Sequence, residues 1–206
     1  STPDGHTLLL GFVGNLSINP GLYGKLPYDS MKDFSPVSLA GRSPLILVVH
    51  PPLPVNTVGD LVDLAKSRPG KLAYSSAGNG NGNHLATELF ANMAGVRLLH
   101  VPYKGGPPGL TGTMQGETAM MFANSTFAVA QVRNKRVRAI AVSTDQRLAL
   151  LPDVPTVRES GLKDFVVTTW FGVLAPARTP QPVIRKLHEG VTEALGNPAV
   201  VKKFDN

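Results

Sequence analysis

The sequence predicts an α/β fold with a mostly parallel sheet. Short apolar runs rich in β-branched residues alternate with segments whose apolar residues recur at helical spacing, and glycine or proline punctuates the junctions. In addition, Lys71 to Val101 reads as strand, glycine-rich loop, helix and strand. The two strands of such a unit should be parallel and joined right-handedly.

The elements follow in order. TLLLGF (Thr7 to Phe12), closed by Gly11 and Gly14, reads as a buried strand running into a loop, and Asn19-Pro20 opens a short helix or turn. PLILVVH (Pro44 to His50) is a second buried strand, stopped by Pro51-Pro52. Thr57 can cap a helix whose apolar face is Val58, Leu61, Val62, Leu64 and Ala65 and which ends at Pro69-Gly70. Lys71 to Ser76 is a strand. A helix from about Asn83 to Ala94 follows, with Leu85, Leu89, Phe90 and Met93 on one face and Gly95 as its stop. Further strands are expected at Arg97 to Val101, Thr118 to Ala123, Arg138 to Ser143 and Val166 to Leu174, with a helix at Thr126 to Arg133. The last helix runs from Pro180 to Leu195, with Val183, Ile184, Leu187, Val191 and Leu195 inward, and Gly196-Asn197-Pro198 breaks it.

Composition narrows the function classes. The 206 residues, 42% of them hydrophobic, can bury a real core. A formal charge of +6 favours anionic partners. The densest basic cluster (Arg133, Lys135, Arg136, Arg138) has no aromatic neighbours and reads as a solvated helix end, so a nucleic-acid partner is not expected. There is no cysteine, so disulfides and thiolate metal sites are excluded. The five histidines show no paired ligand spacing, and neither metal nor cofactor is expected. No apolar run approaches the roughly 18 to 20 residues of a membrane span, so direct membrane insertion is not expected. The chain begins at Ser1 rather than Met, which points to something upstream removed or left out.

Chemistry is expected where strands end, because ligands of open α/β sheets bind outside the carboxyl ends of the strands. The loop YSSAGNGNGNHLATELF, Tyr74 to Phe90, sits at such an end. It fails the dinucleotide fingerprint, since Asn83 occupies the last glycine position. It fails the nucleophile elbow too, since no glycine stands two residues before Ser76, and the chain contains no phosphate loop. What remains is a helix entrance with unpaired N–H groups and a partial positive charge, suited to a carboxylate or phosphate, or else an ordinary turn capped by Asn81 or Asn83. His84 is either a packing residue or a ligand contact. Two more loops have the same character: Tyr103-Lys104-Gly105-Gly106-Pro107-Pro108 after RLLHV, and Phe122-Ala123-Asn124-Ser125.

Taken together, PDGHTLLLG, INPGLYGKLPYD, DFSPVSLAGRSPLILVVHP, LAYSSAGNGNGNHLATELF, HVPYKGGPPGLT, LPDVPTVRESGL and TTWFGVLAPARTP resemble the Bug receptors. These are periplasmic solute-binding components of tripartite tricarboxylate transporters, and the similarity runs through the whole chain in order. The resemblance implies a periplasmic-binding-protein-like architecture of two α/β lobes with mostly parallel sheets. PLILVVHP and WFGVLAPA would be the crossing hinge strands. Residues 1–50 and 164–206 would be parts of an incomplete lobe 1, and residues 51–163 would be lobe 2. It also implies a non-catalytic receptor in the periplasm that closes over a small organic anion such as a carboxylate and delivers it to membrane permease subunits. The implied ligand contacts are Ser76, Gly78, Asn79, Gly80, Asn83 and His84, with Lys104, Gly105 and Asn124 nearby, and Gly14, Asn15 and Ser17 on the other lobe.

Family chains extend further at both ends, so the resemblance implies that this sequence would be the middle of a receptor. Where the family often carries serine near position 81, the chain reads Asn81-Gly82-Asn83. Two other functions fit parts of the pattern. One is a ligand-sensing effector domain of a regulator, which shares this type of architecture. The other is a small hydrolase using Ser76 as nucleophile and His84 as base.

Overall fold

The computed structural model describes residues 1–204, which divide into two compact units. The first comprises Ser1–Arg42 and the chain from Thr169 onward; the second is Ser43–Thr168. No helix among the described residues is long and apolar enough to cross a membrane.

In the first unit, β1 (Leu9–Phe12) pairs antiparallel with β7 (Thr168–Pro176), from Leu9 opposite Leu174 to Phe12 opposite Phe171. β7 in turn lies beside β2 (Phe34–Val49). The expected buried strand at Thr7 to Phe12 is instead an edge strand, with Leu10 61% exposed. An apolar run cannot by itself distinguish an edge position from a central one. A π-helical turn (Gly14–Ile18) and α1 (Asn19–Leu22) follow β1. The unit ends in α6 (Gln181–Gly196) and α7 (Pro198–Phe204). Asn197 does break α6, but its side chain then accepts the Ala199 N–H and starts α7.

In the second unit the strand order is β6-β2-β5-β3-β4, with β3 (Ala73–Ser76), β4 (Leu99–Pro102), β5 (Met120–Asn124) and β6 (Arg138–Val142). β3 is parallel to both β4 and β5, as the strand, loop, helix, strand pattern requires. β2 is the antiparallel member, against both β5 and β6, because it enters from the first unit rather than through a helical crossover. It runs ten residues further toward its N-terminus than the apolar stretch suggests, since its first half is only partly covered and mixes polar with apolar residues.

Leu45, Ile46, Leu47, Val48 and Val49 are all fully buried, and the pleat sends them alternately to two cores. Leu45, Leu47 and Val49 join Leu61, Tyr74, Phe90, Phe122 and Phe165. Ile46 and Val48 join Leu110, Met121, Ala123, Val129 and Val142. α2 (Val58–Ser67) lays Val58, Leu61 and Ala65 into the first core. Thr57 caps it, accepting the Asp60 N–H while Asp60 accepts the Thr57 N–H.

α3 (Gly82–Ala94) departs from its expected face: Leu85 and Leu89 are exposed, while Asn83, Ala86, Thr87, Phe90 and Ala91 are buried. Small and polar residues let this helix approach the sheet closely, a packing that hydrophobicity alone does not report. The basic cluster also resolves differently. Arg133 ends α5 (Ser125–Arg133), but Arg138 lies on β6 and donates to Pro51 O, Leu53 O and Asn56 Oδ1, pinning the turn after β2.

Candidate functional site

Parallel pairing of Ser76 with Pro102 sets the ends of β3 and β4 side by side, and Tyr74 beside Met120 brings β5 to the other flank. The loops leaving these strands are tied to one another. Tyr103 N–H donates to Ser76 O at 3.1 Å. The buried Asn83 side chain donates to Phe122 O at 2.6 Å and to Asn124 Oδ1 at 3.0 Å. Three strand ends of the second unit therefore form one cluster carrying Ser76, Gly78, Asn79, Gly80, Asn83, His84, Lys104, Gly105 and Asn124.

Within the cluster the residues differ in what they can offer. Gly78 (φ +124°) and Gly80 (φ +70°) take backbone angles that side chains resist, so the turn between β3 and α3 needs both. Their N–H groups are already committed: Gly78 donates to Ser76 Oγ at 3.1 Å and Gly80 to His84 Nδ1 at 3.2 Å. Asn81 N–H donates to Gly78 O, and Asn83 N–H to Asn81 Oδ1, the side-chain cap of α3. The amides of Asn79, Gly82 and His84 find no partner among the described residues. Asn79 lies on the exposed loop tip, while His84 is half-buried and Gly82 buried in the first turn of a thirteen-residue helix, and these N–H groups are donors that an anion reaching the helix entrance could use. The side chain of Asn83 faces inward and holds the loop rather than facing outward.

The entrance of α4 (Gly106–Gln115) is built differently. Gly105 precedes it at φ +118°, and Pro107 and Pro108 supply no N–H, so the donors left there are the amides of Gly105 and the buried Gly106, which find no partner among the described residues, and the exposed Lys104 ammonium. A Cβ at Gly106 would lie 2.6 Å from the Phe127 ring, which fixes how closely α4 and α5 pack.

Behind the β3–α3 loop lies a feature that residue spacing does not reveal. The rings of Tyr74, His100 and His84 stack, with centroids 4.9 Å apart for Tyr74 and His100 and 4.1 Å apart for the two imidazoles. Ser76 Oγ lies 2.6 Å from His100 Nε2, and the Tyr74 hydroxyl donates to Glu88 Oε1 at 2.5 Å. Burial first, and then the neighbouring His84, hold the His100 imidazole below its ordinary range, with Glu88 partly opposing. Burial, reinforced by Glu88, raises the Tyr74 phenol. The Tyr103 phenol is pushed up to about 12, chiefly by its hydrogen bond to Glu117. The Ser76–His84 pairing required of a hydrolase is not formed: His84 Nδ1 accepts from Gly80, and Ser76 meets His100 instead. Strand pairing alone sets a β4 side chain against Ser76 on the neighbouring strand.

Gly14, Asn15 and Ser17 lie in the first unit, in the turn after β1. Asn15 Oδ1 accepts the Phe12 N–H at 2.8 Å and Asn15 O accepts the Tyr28 hydroxyl at 2.6 Å. Gly14 is buried and Ser17 exposed. No group of three or more metal-ligating side chains occurs among the described residues.

An α/β unit whose strand-end loops gather polar groups and unpaired amides has the makings of a ligand-binding protein of the periplasmic-binding-protein class. Comparison with known proteins narrows this. The model of the tripartite tricarboxylate transporter family receptor matches residues 1–206. A Pseudomonas sp. (strain P51) protein of the tcbD-tcbE intergenic region is 40% identical over 97% of this chain and 59% of its own length. Protein BugT of Bordetella pertussis is 35% identical over 99% of this chain and 63% of its own. Among solved structures, R. palustris Rpa4515 with adipate superposes with a TM-score of 0.93 at 34% identity, over 98% of this chain and 68% of that one. MatC from Rhodopseudomonas palustris with bound malate gives 0.92 at 32%, over 98% and 69%. The chain belongs to the tripartite tricarboxylate transporter receptor family and has its α/β periplasmic-binding-protein fold. It spans about three fifths of the length of the curated relatives it matches.

Proposed function

We propose that this chain is the solute-capturing part of a periplasmic, non-catalytic receptor that holds a small organic carboxylate and passes it to the membrane permease subunits of a tripartite transporter. The observation that carries this reading is the cluster of three strand-end loops with the unpaired amides of Asn79, Gly82 and His84. Relatives with adipate and with malate support a carboxylate as the class of solute.

Magnitudes explain why one loop cluster should not act alone. A hydrogen bond to a charged group contributes about 1.5 to 3 kcal/mol, and a helix terminus roughly 0.3 to 1 kcal/mol. Two or three such bonds fall near or below the roughly 8.2 kcal/mol of micromolar binding, before ordering costs. We therefore assign the two compact units to the two lobes of a closing receptor, with Gly14, Asn15 and Ser17 supplying further contacts. The solute must then bind the closed form better than the open one.

Thermal unfolding in the presence of adipate, malate, other dicarboxylates, aromatic acids and amino acids tests the reading. A solute at a hundred times its Kd stabilises by about 2.7 kcal/mol, an easily measured rise in Tm. The absence of a shift with every anion, in this chain and in a version extended to the full length of its relatives, overturns it.

A further inference from the structure

We propose that His84, His100 and Ser76 are positioning residues that clasp the Gly78–Gly80 turn, and that the clasp holds only while His84 is neutral, so that protonating it loosens solute capture. The proposal rests on the anion-binding reading above and adds a regulation of that site.

The clasp is a chain of contacts through two imidazoles. Gly80 N–H can only donate, so the His84 Nδ1 that receives it at 3.2 Å must carry a lone pair, and the ring proton sits on Nε2. Gly78 N–H donates to Ser76 Oγ, whose hydroxyl lies 2.6 Å from His100 Nε2. His100 stacks on His84 at 4.1 Å, which closes the chain from Gly78 to Gly80. The amide of Asn79 lies between the two held glycines, so the geometry of an amide open to solute depends on side chains that need not touch the solute.

Protonation affects the two rings unequally. A proton on His100 is tolerated at Ser76: Nε2–H donates to Ser76 Oγ, and the hydroxyl turns to Gly78 O, 3.3 Å away. A proton on His84 Nδ1 places an N–H against the Gly80 N–H, and that bond is lost. Two imidazolium charges 4.1 Å apart also repel, so charging one ring opposes charging the other. Among the described residues, Tyr74 and Ser76 from β3 and Glu88 from α3 also face the pair. Glu88 is engaged by the Tyr74 hydroxyl and is the single acid among them.

The sign of the pH dependence separates a clasp from a direct cationic contact. If His84 acted by meeting the anion as imidazolium, affinity would rise as pH falls. If it clasps, affinity falls as pH falls, by up to about tenfold per pH unit. Calorimetric titration with adipate and with malate between about pH 8 and pH 6, above the range in which carboxylates titrate, reads this directly.

The clasp predicts that His84→Asn, which keeps an acceptor near the Nδ1 position, flattens the profile, whereas His84→Leu lowers affinity throughout the range. An affinity that rises toward pH 6, or a His84→Asn profile as steep as the parent's, overturns it. A second measurement needs no solute. Imidazole nitrogen NMR at pH 8 should show the His84 ring proton on Nε2, and the Gly80 amide resonance should move when the His84 ring takes up a second proton. Finding the His84 proton on Nδ1 overturns the clasp even if neither acid binds. A failure of both acids to bind, with the expected NMR result, instead counts against the anion-binding reading alone.

Discussion

α2 and α6 are both amphipathic helices, yet they end up in different situations. α2 places Val58, Leu61 and Ala65 fully inside the second unit. α6 carries an equally regular stripe, Val183, Ile184, Leu187, Val191 and Leu195, and none of its residues is buried. The five stripe residues are half-covered, and an apolar groove of about 700 Å³ runs between α6 and residues 4–6. His188 Nδ1, 3.0 Å from Val37 O, ties the helix to β2 within the first unit. Periodicity thus selects which side of a helix faces inward. How deeply that side is buried depends on the surface opposite, which lies elsewhere in sequence.

The largest expected effect puts this contrast to the test. Leu61→Ala should destabilise the protein by about 2 to 5 kcal/mol, the range for a leucine removed from a close-packed core. Leu187→Ala should cost under about 1.5 kcal/mol, because the leucine is already partly in water. Urea denaturation followed by circular dichroism compares them, and equal losses would end the distinction between the two helices.

Overpacking gives the next effect. Gly106→Ala drives a Cβ to 2.6 Å from Phe127 in the tightly packed second unit and should cost about 1 to 3 kcal/mol. Gly190→Ala in α6 meets nothing within 4 Å and should be neutral or stabilising by up to about 1 kcal/mol. A cost at Gly190 comparable to that at Gly106 would show that α6 is covered more closely than its exposure indicates.

Capping sharpens the comparison on a smaller scale. Thr57→Ala removes the hydroxyl that accepts the Asp60 N–H, one half of the reciprocal pair, and should cost about 1 kcal/mol. α6 begins at Pro180 with no side-chain cap, so Pro180→Ala should lose no such bond. Differential hydrogen exchange at the first turns of the two helices reads the difference.

The smallest effect concerns pH. The His100 imidazole in the second unit is held below its ordinary value of 6.5, so the unfolded chain takes up its proton first as pH falls. Its contribution to stability is complete above about pH 6.5, declines as pH drops from there toward the folded value, and is level below it. Urea midpoints measured from pH 8 to pH 5 should fall through this window, and His100→Gln should remove that component. An unchanged slope in the variant would place the titrating group elsewhere.

Much of the fold is legible in the order of residues. The central run of β2, the Thr57 cap, the parallel pairing of β3 with β4 and the glycine stop of α3 all rest on short-range rules that a sequence displays directly. Edge against centre for β1, and the small-residue face of α3, are not legible, since both depend on which surface lies opposite. The site is legible as loops and not as a network. Ser76, the glycines and His84 stand out locally, but Asn83 turning inward to Phe122 and Asn124 spans about forty residues, and His100 draws no notice in RLLHV.

Residue order alone settles where this chain turns, where its helices begin and which loops carry bare backbone, because local dihedral preferences and apolar spacing are properties of neighbouring residues. Which amides stay unpaired, which histidine meets Ser76 and which apolar stripe is buried were left to the folded arrangement. Those outcomes depend on distances of a few ångströms between segments brought together by strand pairing, and hydrogen bonds and close packing lose their strength within about an ångström of misplacement.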